Sequence, residues 1–104
     1  MSGWRFHCGF LDRKVNPKRG RPYIHRCPLD SFQAICHSID EHETSRIEEV
    51  AGREDLPVTQ VATTMAFLLD WGLVERVWPR TNERTEKSIF LSAMTCLFGL
   101  NKEA

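Results

Sequence analysis

Ile47-Glu48-Glu49-Val50-Ala51-Gly52-Arg53-Glu54-Asp55-Leu56-Pro57 is the stretch on which the reading of the fold turns. Ser45 and Glu48, three residues apart, form a capping box ahead of Ile47, Val50 and Ala51, so a short helix is expected to begin at Ser45. Gly52 and the Glu54-Asp55 pair weaken that helix. Asp tolerates the left-handed conformation, which places a tight turn at Asp55-Leu56. Pro57 suits the first position of the next helix, and Val61, Met65, Leu68 and Leu69 carry its apolar face as far as Gly72, where it must stop.

Working upstream, Leu29, Phe32, Ile35, Cys36 and Ile39 recur at helical spacing behind Asp30 or Ser31 as a cap, giving an earlier helix that ends near His42. Downstream, Leu73 to Trp78 and Lys87 to Leu91 are β-rich runs separated by Pro79-Arg80-Thr81-Asn82-Glu83-Arg84, which reads as a hairpin with a polar tip. Residues 92 to 100 form a short apolar helix that either caps the core or pairs with a second copy. The first 27 residues differ from the rest. Trp4, Phe6, Cys8 and Phe10 alternate as in a strand, with Tyr23 to Cys27 as partner across a Pro, Lys, Arg and Gly connection. That segment either folds over the core as an extra layer or forms a mobile arm.

Three helices, a sharp turn before the third and then a two-stranded hairpin resemble a winged helix-turn-helix over residues 29 to about 91. The wording is similar too: the Leu56-Pro57 turn and Gly72-Leu73-Val74-Glu75-Arg76 resemble segments of bacterial and archaeal winged-helix transcription regulators. The expected architecture is therefore α+β and mainly α: a winged-helix domain over 28–104 with a three-helix core, a β-hairpin wing and a short apolar C-terminal helix, preceded by a basic arm or β-hairpin over 1–27. The resemblance implies a protein that recognises double-stranded DNA, with the third helix (about 57–71) in the major groove and the wing (about 73–91) on the backbone or in the minor groove. Val58, Thr59, Gln60, Ala62, Thr63 and Ala66 point away from the core face on this reading. Gln60 pairs with adenine, Thr59 and Thr63 reach phosphates or bases, and the methyls of Val58 and Ala62 meet a thymine methyl.

One departure from that pattern matters: no Lys or Arg lies between Pro57 and Val74. Affinity for DNA rests largely on neutralised phosphates, so positive charge must come from elsewhere. The wing offers Arg76, Arg80, Arg84 and Lys87, against the plainer reading of a solvated hairpin that also carries Glu83 and Glu86. The run Asn16-Pro17-Lys18-Arg19-Gly20-Arg21-Pro22 resembles the core of an AT-hook, whose extended Gly-Arg-Pro lies in narrow minor grooves; Lys18, Arg19 and Arg21 are its cations. The bland alternative is a basic turn joining two strands.

Charge is sorted along a chain whose formal net charge is zero. Residues 1–30 carry seven basic and two acidic side chains, residues 31–75 two and nine, and residues 76–104 five and three, giving +5, −7 and +2. A polyanion is met by the two ends, and Asp40, Glu41, Glu43, Glu48 and Glu49 belong on a face turned to solvent or a basic partner. With 104 residues and 41% hydrophobic content, one modest core is expected. No apolar run is long enough for a membrane span and no signal-peptide pattern opens the chain, so a soluble cytoplasmic protein is expected, nucleoid-associated if it binds DNA. Cys8, Cys27, Cys36 and Cys96 read as free thiols. A hairpin that gathers Cys8, His25 and Cys27 supplies zinc ligands, but no Cys-x-x-Cys is present and buried thiols are the plainer reading. No phosphate loop, nucleophile elbow or catalytic triad order appears, so neither an enzyme nor a cofactor is expected. The competing function is a winged helix used for protein-protein interaction, or for homodimerisation through residues 92–100, with little affinity for DNA.

Overall fold

A computed structural model describes residues 3–102; residues 1–2 and 103–104, the outer ends of the expected segments 1–27 and 28–104, lie outside the described residues. The described chain is an α+β domain of four helices and two small antiparallel sheets. Its elements run β1 (Trp4–His7), β2 (Phe10–Val15), β3 (Tyr23–Pro28), α1 (Leu29–Asp40), β4 (Thr44–Ser45), α2 (Ile47–Glu54), α3 (Val58–Asp70), β5 (Val74–Trp78), β6 (Thr81–Arg84) and α4 (Phe90–Lys102). No helix among the described residues is long and apolar enough to cross a membrane.

The N-terminal segment is a three-stranded sheet in the order β1-β2-β3, where a single strand from Trp4 to Phe10 was expected. Cys8 and Gly9 both take positive φ (51° and 79°), the signature of a two-residue hairpin turn whose twist matches its flanking strands. Alternation therefore breaks at Cys8, and Tyr23–Pro28 pairs with Phe10–Val15 rather than with β1. The inner face of this sheet is apolar. Trp4, Phe6, Leu11 and Cys27 are buried in one cluster with Phe32, Ile35, Met65, Phe67 and Leu68 from the helices. Trp4 crosses Phe67 edge-on at 5.2 Å, and its indole N–H donates to Asp70 at 2.7 Å, fixing β1 on the last turn of α3.

Helix α2 starts later than its capping box predicts. Ser45 is drawn into β4, which pairs with β6, and the N-cap position falls on Arg46 with no side-chain cap. Ser45 therefore lies one residue ahead of the N-cap, and its buried hydroxyl makes no hydrogen bond. The turn falls where expected: Asp55 is left-handed (φ 53°, ψ 51°), and the Leu56 N–H returns to the Ala51 carbonyl at 3.0 Å. At the end of α3, Gly72 has φ 72° and the Leu73 N–H donates to the Leu68 carbonyl at 2.9 Å, a Schellman closure that demands a residue without Cβ strain.

The second sheet has the order β4-β6-β5. Its hairpin is shorter than expected: Trp78 pairs with Thr81 across Pro79-Arg80, so the second strand is Thr81–Arg84, not Lys87 to Leu91. Pro79 cannot donate to a ladder and its fixed φ suits the first corner of a turn, which pulls the reversal forward by several residues. The stretch expected to be a strand instead leads into α4, which is longer than the expected helix over residues 92–100. Its start is capped from a distance. The Asp40 carboxylate, at the end of α1, accepts the Ile89 and Phe90 N–H groups at 2.6 and 3.1 Å. Asp40 thus serves the fold and does not belong to the solvent-facing acidic surface. Ala93 and Leu97 point inward, while Leu91 and Phe98 are exposed.

Candidate nucleic-acid interface

Helix α3 is buried on more of its circumference than an amphipathic helix needs to be. Val61, Met65 and Leu68 face the other helices. Thr64 and Phe67 face β3, β1 and α1, with the Cys27 thiol 3.2 Å from the Thr64 hydroxyl and Phe32 crossing Phe67 at 5.6 Å. The least covered stripe runs from exposed Val58 and Thr59 through the half-buried Ala62 and Ala66 to exposed Asp70. Thr63 is not on that stripe: it is 1% exposed and its hydroxyl donates to the Thr59 carbonyl at 2.8 Å, so it cannot reach a groove. Gln60 is half-buried, and its side-chain carbonyl oxygen is enclosed with no hydrogen-bond partner, which removes the acceptor that bidentate pairing with adenine requires. Of the three polar positions expected to read DNA, Thr59 alone is exposed.

The four expected wing cations divide into two pairs. Arg76 and Arg80 are exposed near the tip and line a cleft with Ile47, Glu48 and Asn82, so the first turn of α2, where backbone N–H groups lack helical partners, opens onto the same space. Arg80 holds φ 63°, a left-handed position that usually goes to Gly or Asn. Arg84 and Lys87 lie at the base of the hairpin among Glu43, Glu83 and Glu86, and Arg84 donates to the Asp40 carbonyl. Charge at the base is therefore compensated, and charge at the tip opposes Glu48 alone. Trp78, beside the tip, is 69% exposed, and Val77 is exposed next to it. The sequence signal for Trp78 was present, a large aromatic against Pro79 at a hairpin end, but strand alternation by itself did not say which of its faces would be covered.

Lys18, Arg19 and Arg21 sit in the exposed loop that joins β2 to β3, the plainer of the two readings offered by Asn16 to Pro22. Cys27 lies against Thr64, while Trp4, in the same cross-strand row as Arg13 and His25, binds Asp70. Passing from Cys27 to the row of His25 thus follows α3 from Thr64 towards Asp70. On its outer face the first sheet also carries Arg5, Lys14 and Arg26, which the sequence showed only as a regional excess of charge.

The cysteine and histidine residues with zinc-like spacing are not gathered. Cys8 is exposed in the β1–β2 turn, Cys27 is buried on the inner face, and no cluster of three metal-ligating side chains forms among the described residues. Burial pushes the Cys27 and Cys36 thiols above their ordinary range, so both are protonated hydrophobes at neutral pH. In comparisons with known proteins, the chain matches no family model, no curated protein and no solved structure.

Proposed function

We propose that this chain is a winged helix-turn-helix protein that binds double-stranded DNA, with the N-terminal part of α3 facing the major groove and the wing tip on the backbone. The order α1-β4-α2-α3-β5-β6, with β4 completing the wing sheet and Asp55 turning α2 into α3, supports the fold reading. The observation that carries the function is the cleft in which Arg76, Arg80 and the first turn of α2 converge. A phosphate there meets two guanidinium groups and the positive end of a helix dipole. A cation held at a left-handed position costs about 1 kcal/mol that Gly would not, which is the kind of local strain found where a side chain has work to do.

Thr59, Ala62 and Val58 then offer one hydroxyl and small apolar contacts to base edges, enough to sense thymine methyls but few hydrogen bonds. Affinity comes mostly from phosphates, so the protein acts as a weakly selective DNA binder and regulator of transcription. Fluorescence anisotropy with random-sequence duplex, measured across a salt series, tests this. Binding should weaken as salt rises, and R76A/R80A should reduce the slope of log affinity against log salt by about 2. Salt-independent binding, or an unchanged slope in the double variant, contradicts it.

The second reading, a protein-interaction or self-association module, draws on an α3 stripe that carries no basic residue and on exposed Leu91 and Phe98 of α4. It requires concentration-dependent mass in sedimentation equilibrium that L91E/F98E abolishes.

A further inference from the structure

On the outer face of the first sheet, Arg5, Asp12 and Arg26 form one cross-strand row, with His7 on one side and Lys14 and Ile24 on the other. These side chains line a concavity of about 380 Å³. Asp12 sits at its floor, 5% exposed, and is fully engaged: Arg26 Nε and Nη2 donate to its two oxygens at 2.8 and 3.0 Å, and His7 Nε2 lies 2.8 Å from one of them. The carboxylate therefore acts as an anchor for Arg26. The guanidinium is held from a second side by the Phe10 ring, 4.9 Å from its centroid, leaving Nη1 with no hydrogen bond among the described residues.

Arg5 and Lys14 have no acidic partner among the described residues, where the ion pairs are those of Asp12 with His7 and Arg26. Three cations around one anion leave the concavity with a formal charge of +2 before His7 is counted. A guanidinium already oriented by a buried carboxylate and an aromatic face loses little freedom on binding, and its fork matches a tetrahedral oxyanion better than a point charge does. From this geometry we infer a phosphate-binding site on the outer face of the first sheet, with Arg26 as the oriented donor and Arg5 and Lys14 as flanking charges. A phosphate dianion matches the charge of the concavity. The same chemistry is presented by a free or terminal phosphate and by a nucleic-acid backbone.

The site is independent of the wing, and its test separates the two. Arginine and backbone amide resonances of the full chain are followed by NMR during titration with inorganic phosphate, with sodium acetate and with random-sequence duplex DNA. Saturable shifts confined to Arg5, Lys14, Arg26 and their neighbours with phosphate, and weaker by about tenfold or more in R5A/K14A, support the site. R26K keeps the charge but not the fork, and should weaken binding comparably, whereas R76A/R80A should leave phosphate binding unchanged. Shifts at these residues with duplex but not with inorganic phosphate assign the site to a nucleic-acid backbone. Equal response to acetate, shifts spread over all basic side chains, or unchanged affinity in R5A/K14A would overturn it. Because the three substituted side chains are exposed, their replacement tests binding without removing the core.

Discussion

The two sheets have the same number of strands and the same antiparallel pairing, yet they are built for opposite purposes. The first lays an apolar inner face on α3, α1 and α4 and turns a cationic face outward. The second buries little along its outer strand: in β5 only Val74 is enclosed, and Arg76, Val77 and Trp78 are all exposed. Across β4 and β6 it encloses polar side chains instead, since Ser45 and Asn82 face each other there, each with a side-chain oxygen lacking a partner. A sheet that contributes so little apolar burial to the core is a poor stabiliser. Two of the three tryptophans make the same contrast within one residue type: Trp4 is 9% exposed and hydrogen-bonded, whereas Trp78 is 69% exposed at the wing.

Four substitutions sharpen that contrast. Trp4→Ala removes the edge contact with Phe67 and the hydrogen bond to Asp70, and should cost about 3–5 kcal/mol in chemical denaturation. A cost below about 1 kcal/mol would show that the first sheet is not part of the cooperative core.

Asp12→Asn should cost about 2 kcal/mol, less than the breaking of a fully buried pair because Arg26 is half-exposed. The hydrogen-bonded Arg26 guanidinium holds the Asp12 carboxyl below its ordinary value of 3.8; burial acts the other way and the His7 contact adds to the lowering. The folded state therefore binds fewer protons here than the unfolded state. This contribution is complete above pH 3.8 and is lost as pH falls through the lower folded value. In urea titrations below pH 4 the wild type should lose this increment and Asp12→Asn should not. Parallel acid profiles for the two proteins would refute the anchor role.

Arg80→Gly relieves a left-handed backbone and should stabilise the fold by about 1 kcal/mol while weakening duplex binding. A variant that is both more stable and equally tight in binding would remove Arg80 from the proposed interface. Trp78→Ala should change stability by no more than about 0.5 kcal/mol, as checked by thermal melting, because little protein surface covers it.

Much of this architecture was legible along the chain, for identifiable reasons. The α2–α3 turn followed from Asp55 before Leu56-Pro57, a local conformational requirement that tertiary packing had no reason to override. The stop at Gly72 followed from the same kind of local chemistry. What could not be read were the choices made between distant residues. Ser45 carried a good cap signal and was claimed by a ladder with β6. Asp40 belonged to an acidic run and became the cap of α4, some fifty residues later in sequence. Lys87 to Leu91 had strand-like composition, but the hairpin had already closed at Pro79-Arg80.

The candidate site was less legible than the fold. Periodicity placed Thr63 and Gln60 on the free side of α3 because it assumes one covered face, whereas the first sheet covers a second one. Arg5, Lys14 and Arg26 were visible only as part of a regional charge excess. Their convergence depends on a three-strand register that a misplaced hairpin turn at Cys8-Gly9 conceals.

The proposal that the wing and the start of α3 meet DNA is tested most directly by mapping a random-sequence duplex onto the chain by NMR at low salt. Thr59, Ala62, Arg76, Trp78 and Arg80 should shift together, and the shifts should collapse as salt is raised. A map that leaves these residues untouched would contradict it.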